Sequence, residues 1–203
     1  CNNLLKVEFK EDSELQIIEK NAFFDSPISS ISIPPHVTQI CEGAFALCNL
    51  LKIEIPENSE LQIIGKNAFI NNSLNSIEEF FIPSNFFDID PEIFKLKIKK
   101  FKVSENNPKY SIYKNKFIVG KSSLENDNYD ILVFYLGIEK NETIQHFANF
   151  YEIFLSKLKN NEETDSKNIV KIPDFIEIIG PYSFYQCKGI QQIEIPNNSK
   201  LSI

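Results

Sequence analysis

The amino-acid sequence predicts a mainly β repeat solenoid: a curved stack of short units with a parallel sheet along one side, short helical turns and one non-repeat insertion. Three observations carry this. Two nearly identical blocks lie far apart, Glu11-Asp-Ser-Glu-Leu-Gln-Ile-Ile-Glu-Lys-Asn-Ala-Phe23 and Glu57-Asn-Ser-Glu-Leu-Gln-Ile-Ile-Gly-Lys-Asn-Ala-Phe69. Their apolar spacing, a residue, then Ile three later, then Phe five after that, recurs in five copies. Between the copies runs a second apolar element whose last member is usually followed by proline. One such unit cannot bury its own apolar face, so the units must stack on their neighbours.

The first element reads Leu15/Ile18/Phe23, Val37/Ile40/Phe45, Leu61/Ile64/Phe69, Phe86/Ile89/Phe94 and Ile176/Ile179/Phe184. It is expected to be a tight or short helical turn that drops Phe into the core of each rung. Small Ala22, Ala44 and Ala68, with Ser183 in the last copy, stand where backbones must pass closely. The second element is apolar at i, i+3 and i+5: Leu4/Val7/Phe9, Ile28/Ile31/Ile33, Leu50/Ile53/Ile55, Ile77/Phe80/Ile82, Ile98/Phe101/Val103 and Ile190/Ile193/Ile195. Its alternation and its Ile, Val and Phe content predict a short strand. Pro34, Pro56, Pro83, Pro173 and Pro196 have no amide hydrogen to offer a ladder, so each marks the corner where the chain leaves the sheet. The corner is short from Ile33 to Val37, Ile82 to Phe86 and Ile172 to Ile176, and two residues longer from Phe9 to Leu15 and Ile55 to Leu61.

Residues 104–168 leave the pattern, which divides the chain into repeats 1–103, an island 104–168 and repeats 169–203. Within the island Tyr110–Tyr113 and Phe117–Val119, joined by Lys114-Asn115-Lys116, predict a hairpin, and Ile131–Tyr135 a further strand of a small meander. Ile144, Phe147, Tyr151, Phe154, Leu155 and Leu158 recur at helical spacing behind Thr143 as N-cap, predicting a helix over 143–159, followed by a polar loop from Asn160 to Asn168. The island is either a spacer that closes off one block, the reading its make-up favours, or a binding insertion.

The composite pattern, Leu-x-x-Ile-x-Ile-Pro-x-x-Val-x-x-Ile-Gly-x-x-Ala-Phe-x-x-Cys, resembles the BspA-like class of leucine-rich repeats. Its best copy is Ile28-Ser-Ser-Ile31-Ser-Ile33-Pro34-Pro-His-Val37-Thr-Gln-Ile40-Cys-Glu-Gly-Ala44-Phe45-Ala-Leu-Cys48, and the missing Gly appears in Ile64-Gly65 and Ile179-Gly180. The match runs over about residues 1–103 and 169–203. The resemblance implies a surface antigen or adhesin, on the cell surface or secreted, whose repeats bind a protein or glycan such as host matrix or another cell. An intracellular scaffold for protein–protein interaction is the alternative on the same fold.

Composition narrows the field. With 28 acidic and 21 basic residues the net charge is −7, the wrong sign for a chain that binds by neutralising phosphates, so no nucleic-acid partner is expected. No apolar run approaches the roughly 18 residues of a membrane span, so no membrane insertion is expected in this segment. The chain has no Met and opens and closes inside repeats, and so reads as a segment of something longer. Any signal peptide or anchor would then lie outside it.

Nothing points to an enzyme, a metal or a cofactor. Only His36 and His146 offer an imidazole, without a Ser, Cys or Asp partner that the repeats would bring close, and six Gly leave little room for a phosphate-binding loop. Cys1, Cys48 and Cys187 share one place in their repeats, where the second repeat has Ser26. Rungs ~4.8 Å apart hold Cys1 and Cys48 ~10 Å apart, beyond disulfide reach, so these and Cys41 read as free thiols filling apolar space. Glycosylation sequons stand at Asn71, Asn141 and Asn197.

Outward strand positions are Lys6/Glu8, Ser30/Ser32, Lys52/Glu54, Glu79/Phe81, Lys100/Lys102 and Gln192/Glu194. Alternating Lys and Glu are what a solvated sheet needs, and the run Lys95-Leu-Lys97-Ile-Lys99-Lys100-Phe-Lys102-Val is also the signature of a strand with one wet face, the reading preferred here over a polyanion site. Phe81 breaks that pattern. An aromatic residue expected to face solvent beside Glu79, with Lys100 and Lys102 on the next strand, makes these four the candidate binding patch.

Overall fold

The computed structural model describes residues 3–10, 12–72, 76–136 and 168–201 and forms two compact units, Cys1–Ile112 and Tyr113–Ile203. Both are β-solenoid. The strands of the first unit are β1 (Ile17–Ile18), β2 (Ser30–Ser32), β3 (Gln39–Ile40), β4 (Lys52–Glu54), β5 (Ile63–Ile64), β6 (Ile77–Ile82), β7 (Asp88–Ile89) and β8 (Ile98–Val103). β9 (Tyr110–Tyr113) crosses into the second unit, which continues with β10 (Phe117–Gly120), β11 (Ile131–Tyr135), β12 (Ile169–Lys171), β13 (Ile178–Ile179) and β14 (Gln192–Glu194).

From β2 onward each turn of the first unit lays down two short parallel strands where the sequence promised one, while the strand expected from Leu4, Val7 and Phe9 does not form. The expected strands are β2, β4, β6 and β8, with β2 paired to β4 and β6 to β8 in register. The Leu-x-x-Ile element, read from sequence only as a turn, also forms a strand. β1, β3, β5 and β7 align in parallel so that Ile18, Ile40, Ile64 and Ile89 share one inward column.

At the corners, the carbonyls of Pro34, Pro56, Pro83, Pro173 and Pro196 each accept the amide three residues on. The two corner lengths have a local cause. In the longer corners a serine hydroxyl accepts the amide two residues ahead, Ser13 from Leu15 (3.4 Å), Ser59 from Leu61 (3.2 Å) and Ser199 from Leu201 (3.1 Å). This side-chain turn accommodates the two added residues.

The Ala-Phe block is a double turn with a left-handed residue two before and two after the Phe. The leading positions are Asn21, Gly43, Asn67 and Tyr182, and the trailing ones Asp25, Leu47, Asn71 and Gln186. Asn, Asp and Gly adopt this conformation cheaply, whereas Leu47 and Tyr182 each hold it at a cost of ~1–2 kcal/mol. In the fourth copy a 3₁₀ helix, Pro91–Lys95, takes the place of the double turn, with Asp90 accepting the Glu92 amide at its N-cap. Between the turns, the amides of Phe23 and Phe45 donate to the carbonyls of Ala44 (2.8 Å) and Ala68 (2.7 Å) of the next rung. This closeness is what the small Ala permits. The rings of Phe23, Phe45 and Phe69 consequently stack face to face, with centroids 5.1 and 5.3 Å apart and planes within 9°.

In the second unit the inter-rung pairing of the repeats extends to residues 131–135. Residues 104–168 were set apart as non-repeat, yet β11 pairs in parallel with β13, Leu132 opposite Ile179, in the manner of β1 with β3. The Gly180 amide donates to Leu132 (2.8 Å) as that of Cys41 does to Ile18, and the Tyr135 amide donates to Ser183 (2.7 Å) as that of Phe23 does to Ala44. Residues 131–135 therefore occupy a rung. The expected meander is also present: Lys114 and Asn115, both left-handed, turn the chain into β10, which runs antiparallel to β11 with a bulge between Ile118 and Val119. The helix expected over 143–159 lies outside the described residues.

The core of the second unit gathers Phe117, Val119, Leu132, Tyr135, Val170, Ile172 and Ile176. Among the described residues no buried side-chain nitrogen or oxygen lacks a hydrogen-bond partner.

Candidate interaction surface

The outward ladder of β6 and β8 builds the candidate surface. Parallel pairing sets Glu79 opposite Lys100 and Phe81 opposite Lys102. The Glu79 carboxylate lies 2.9 Å from the Lys102 ammonium and 3.4 Å from that of Lys100. The hydrogen bond from Lys102, assisted by the one from Lys100, holds the Glu79 carboxyl below the usual carboxylate range. Two cations about one anion leave a net positive, mostly exposed centre.

Phe81 does not face solvent, contrary to the sequence expectation, and keeps only 8% of its surface exposed. Phe80, Phe81 and Ile82 are buried in succession, the pattern of a strand covered on both faces. Its register partner Lys102 places its ammonium 2.9 Å from Glu79. Phe81 thus belongs to the buried residues of β6, not to the exposed charged cluster.

Further exposed ion pairs in the first unit join Lys6 with Glu8 and Lys52 with Glu54 (2.5 Å); the second unit has its own, Lys171 with Glu194 (3.1 Å). Within the lysine run, Lys95 pairs with Glu92 (2.8 Å) and Lys99 with Glu78 (2.5 Å). These acids neutralise much of the run, which favours the wet-face reading over a polyanion groove. Exposed pairs of this kind contribute little stability, ~0–1 kcal/mol each.

His36 does meet an acid, with Nδ1 3.0 Å from Glu60 Oε1 in an exposed cross-rung pair, while His146 lies outside the described residues. Cys41 and Cys48 are free thiols. Cys48 and Cys187 are more than apolar filler, because Cys48 Sγ donates to the Phe23 carbonyl (3.1 Å) and Cys187 Sγ to that of Tyr135 (3.5 Å). Burial pushes the Cys48 thiol up and keeps it protonated.

Asn72 was missed. It occupies the column of Ser26, Cys48 and Cys187, donates from Nδ2 to the Phe45 (2.7 Å) and Phe69 (2.8 Å) carbonyls, and accepts the Leu50 amide (3.1 Å) on Oδ1. Extending the cysteine column to Asn72 would have found it. Of the sequons, Asn71 and Asn197 are exposed, and Asn141 lies outside the described residues.

The model of the BspA type leucine-rich repeat region matches residues 1–131 and 143–202, in six copies. The chain belongs to the BspA-type leucine-rich-repeat family. This match takes in residues 104–131 and leaves out 132–142. Two solved structures share the fold of this BspA-type chain. The pneumococcal vaccine antigen PcpA aligns over 94% of the chain and 39% of its own, at 20% identity and TM-score 0.65. A leucine-rich-repeat protein from Eubacterium ventriosum aligns over 91% of the chain and 46% of its own, at 18% identity and TM-score 0.59. The chain thus spans less than half the length of either protein. No curated protein matches it. Leucine-rich repeats of this type serve as protein-interaction modules. Among the described residues no helix is long and apolar enough to cross a membrane, and no three metal-ligating side chains converge.

Proposed function

We propose that the chain is a non-enzymatic recognition and adhesion module of a surface-exposed or secreted protein, binding a protein or glycan partner such as host matrix or another cell. The site is the β6–β8 face, where Lys100 and Lys102 engage acidic groups of the partner and Glu79 holds the two ammonium groups in place. The observation that carries the reading is this positive cluster on an otherwise charge-paired sheet. Family membership supports a binding role, and the vaccine-antigen neighbour supports a surface setting.

The test pairs localisation with mutation. Antibody should stain intact cells that express the full-length protein; staining only after permeabilisation would replace the surface reading with an intracellular scaffold. On cells or matrix that bind the wild type, Lys100→Glu with Lys102→Glu should weaken binding by about tenfold or more at unchanged melting temperature. Undiminished binding would move the site off this face.

A further inference from the structure

We infer that the β6–β8 face recognises an acidic peptide in extended conformation, laid along β8 with carboxylates at alternate positions; this rests on the binding role proposed for that face. Elsewhere on the outward strand positions of the first unit, Lys6 with Glu8, Lys52 with Glu54 and Lys99 with Glu78 each join one lysine to one glutamate and are balanced. Glu79 serves both Lys100 and Lys102, whose side chains remain exposed. The two ammonium groups converge on one carboxylate and leave one positive charge over, so the cluster can take a second carboxylate from outside.

Spacing and sign then select the occupant. Lys100 and Lys102 stand two residues apart on β8, with Phe101 buried between them, so they leave the strand on the same side, about 6.6 Å apart along it. An extended peptide has the same rise per residue, so acids two apart on it meet both lysines together while the residues between them point away. Charge sets the direction. Lys52, Glu79 and Lys100 hold the same place in successive repeats, so an acidic segment laid across the strands would set a carboxylate on Glu79, whereas along β8 it meets lysine at both outward positions. A uniformly anionic chain such as a sulfated polysaccharide is the poorer fit, because Glu78 and Glu79 lie among the lysines and repel it, while a peptide can place neutral residues there.

The experiment titrates the whole chain with fluorescein-labelled probes and follows their anisotropy at low salt, where screening is weakest. Two peptides carry the same number of glutamates, one alternating Glu with Thr and one with two Thr between successive Glu; a labelled heparin fragment is the third probe. The alternating peptide should bind at millimolar concentration or below, and the other several-fold more weakly, because its successive acids fall on opposite faces. Lys100→Gln with Lys102→Gln should weaken the alternating peptide by about tenfold or more at unchanged melting temperature. Lys52→Gln, which removes a lysine already balanced by Glu54, should leave it unchanged. The inference is overturned if the alternating peptide does not bind, if both peptides bind alike, if the lysine variant binds as the wild type does, or if heparin binds the lysine pair more tightly than either peptide, which would make a sulfated glycan the partner. Its failure is separable from that of the binding role. Adhesion lost in Lys100→Glu with Lys102→Glu while the alternating peptide stays unbound removes the peptide and keeps the site, whereas adhesion that survives removes the site itself.

Discussion

The rung of Phe45 and the rung of Tyr135 are built on the same backbone connections and filled differently. Each has an amide reaching the small residue of the next rung and a short parallel strand ahead of it. Around Phe45 the filling is three parallel stacked rings, with Phe45 itself fully buried. Around Tyr135 the rings tilt: Tyr135 meets Phe184 at 5.8 Å and 37°, and Phe117 at 5.4 Å and 47°. The connecting chain also differs, because Tyr135 lies only three positions after Leu132 whereas Phe45 lies five after Ile40. The frame is therefore set by backbone hydrogen bonds between rungs, and side chains have latitude within it.

That comparison ranks the fillings, and the widest separation is expected from ring deletion. Phe45→Ala should cost ~3–5 kcal/mol, since it removes a fully buried ring from between two others. Phe184→Ala should cost roughly half as much, because Phe184 is only partly buried. Denaturant melts at constant m-value measure both, and equal losses would mean that stacking order has no energetic consequence.

Next in size is the column beside the rings. Asn72→Ala strips the Phe45 and Phe69 carbonyls of a donor and the Leu50 amide of its acceptor, all in the core, and should cost ~2–4 kcal/mol. Cys48→Ala removes one weak thiol bond in the equivalent place and should cost ~1 kcal/mol. If the two variants melt alike, Asn72 is not the clamp its three bonds suggest.

These contrasts locate what could be read from residues alone. The Phe45 rung was legible because its spacing is periodic and proline punctuates it. The Tyr135 rung was hidden because its spacing shortens and its strand doubles as an arm of the meander, so periodicity drops just where the backbone frame continues. Of the candidate patch, Glu79, Lys100 and Lys102 fall into place from register alone. Phe81 failed because strand alternation describes one sheet face and is silent about what covers the other. Asn72 escaped notice because its column was read by apolar size, while its function in the fold is to donate and accept.

The smallest effect separates tyrosine from phenylalanine as filler, and it appears only in alkali. Tyr110 is buried, donates its hydroxyl to the Phe87 carbonyl (3.2 Å), and has its phenol pushed up to about 12 by burial, with the Asp88 charge adding to the shift. The unfolded chain gives up this proton near pH 10 while the folded chain keeps it, so the contribution is complete below about pH 10 and is lost as pH climbs toward 12. The loss should reach roughly 2 kcal/mol. Burial of Tyr135, aided by the neighbouring Cys187, acts in the same direction, whereas the rings of Phe23, Phe45 and Phe69 have nothing to titrate. Tyr110→Phe should cost ~1 kcal/mol at neutral pH, for the lost hydroxyl bond, and should flatten the alkaline limb. Lysines titrate in the same window, so the diagnostic is the difference between wild type and variant: it should narrow above pH 10 and change sign before pH 12. Parallel curves would show that the buried phenol exerts no pull on the fold and that the tyrosine and phenylalanine rungs differ in geometry alone.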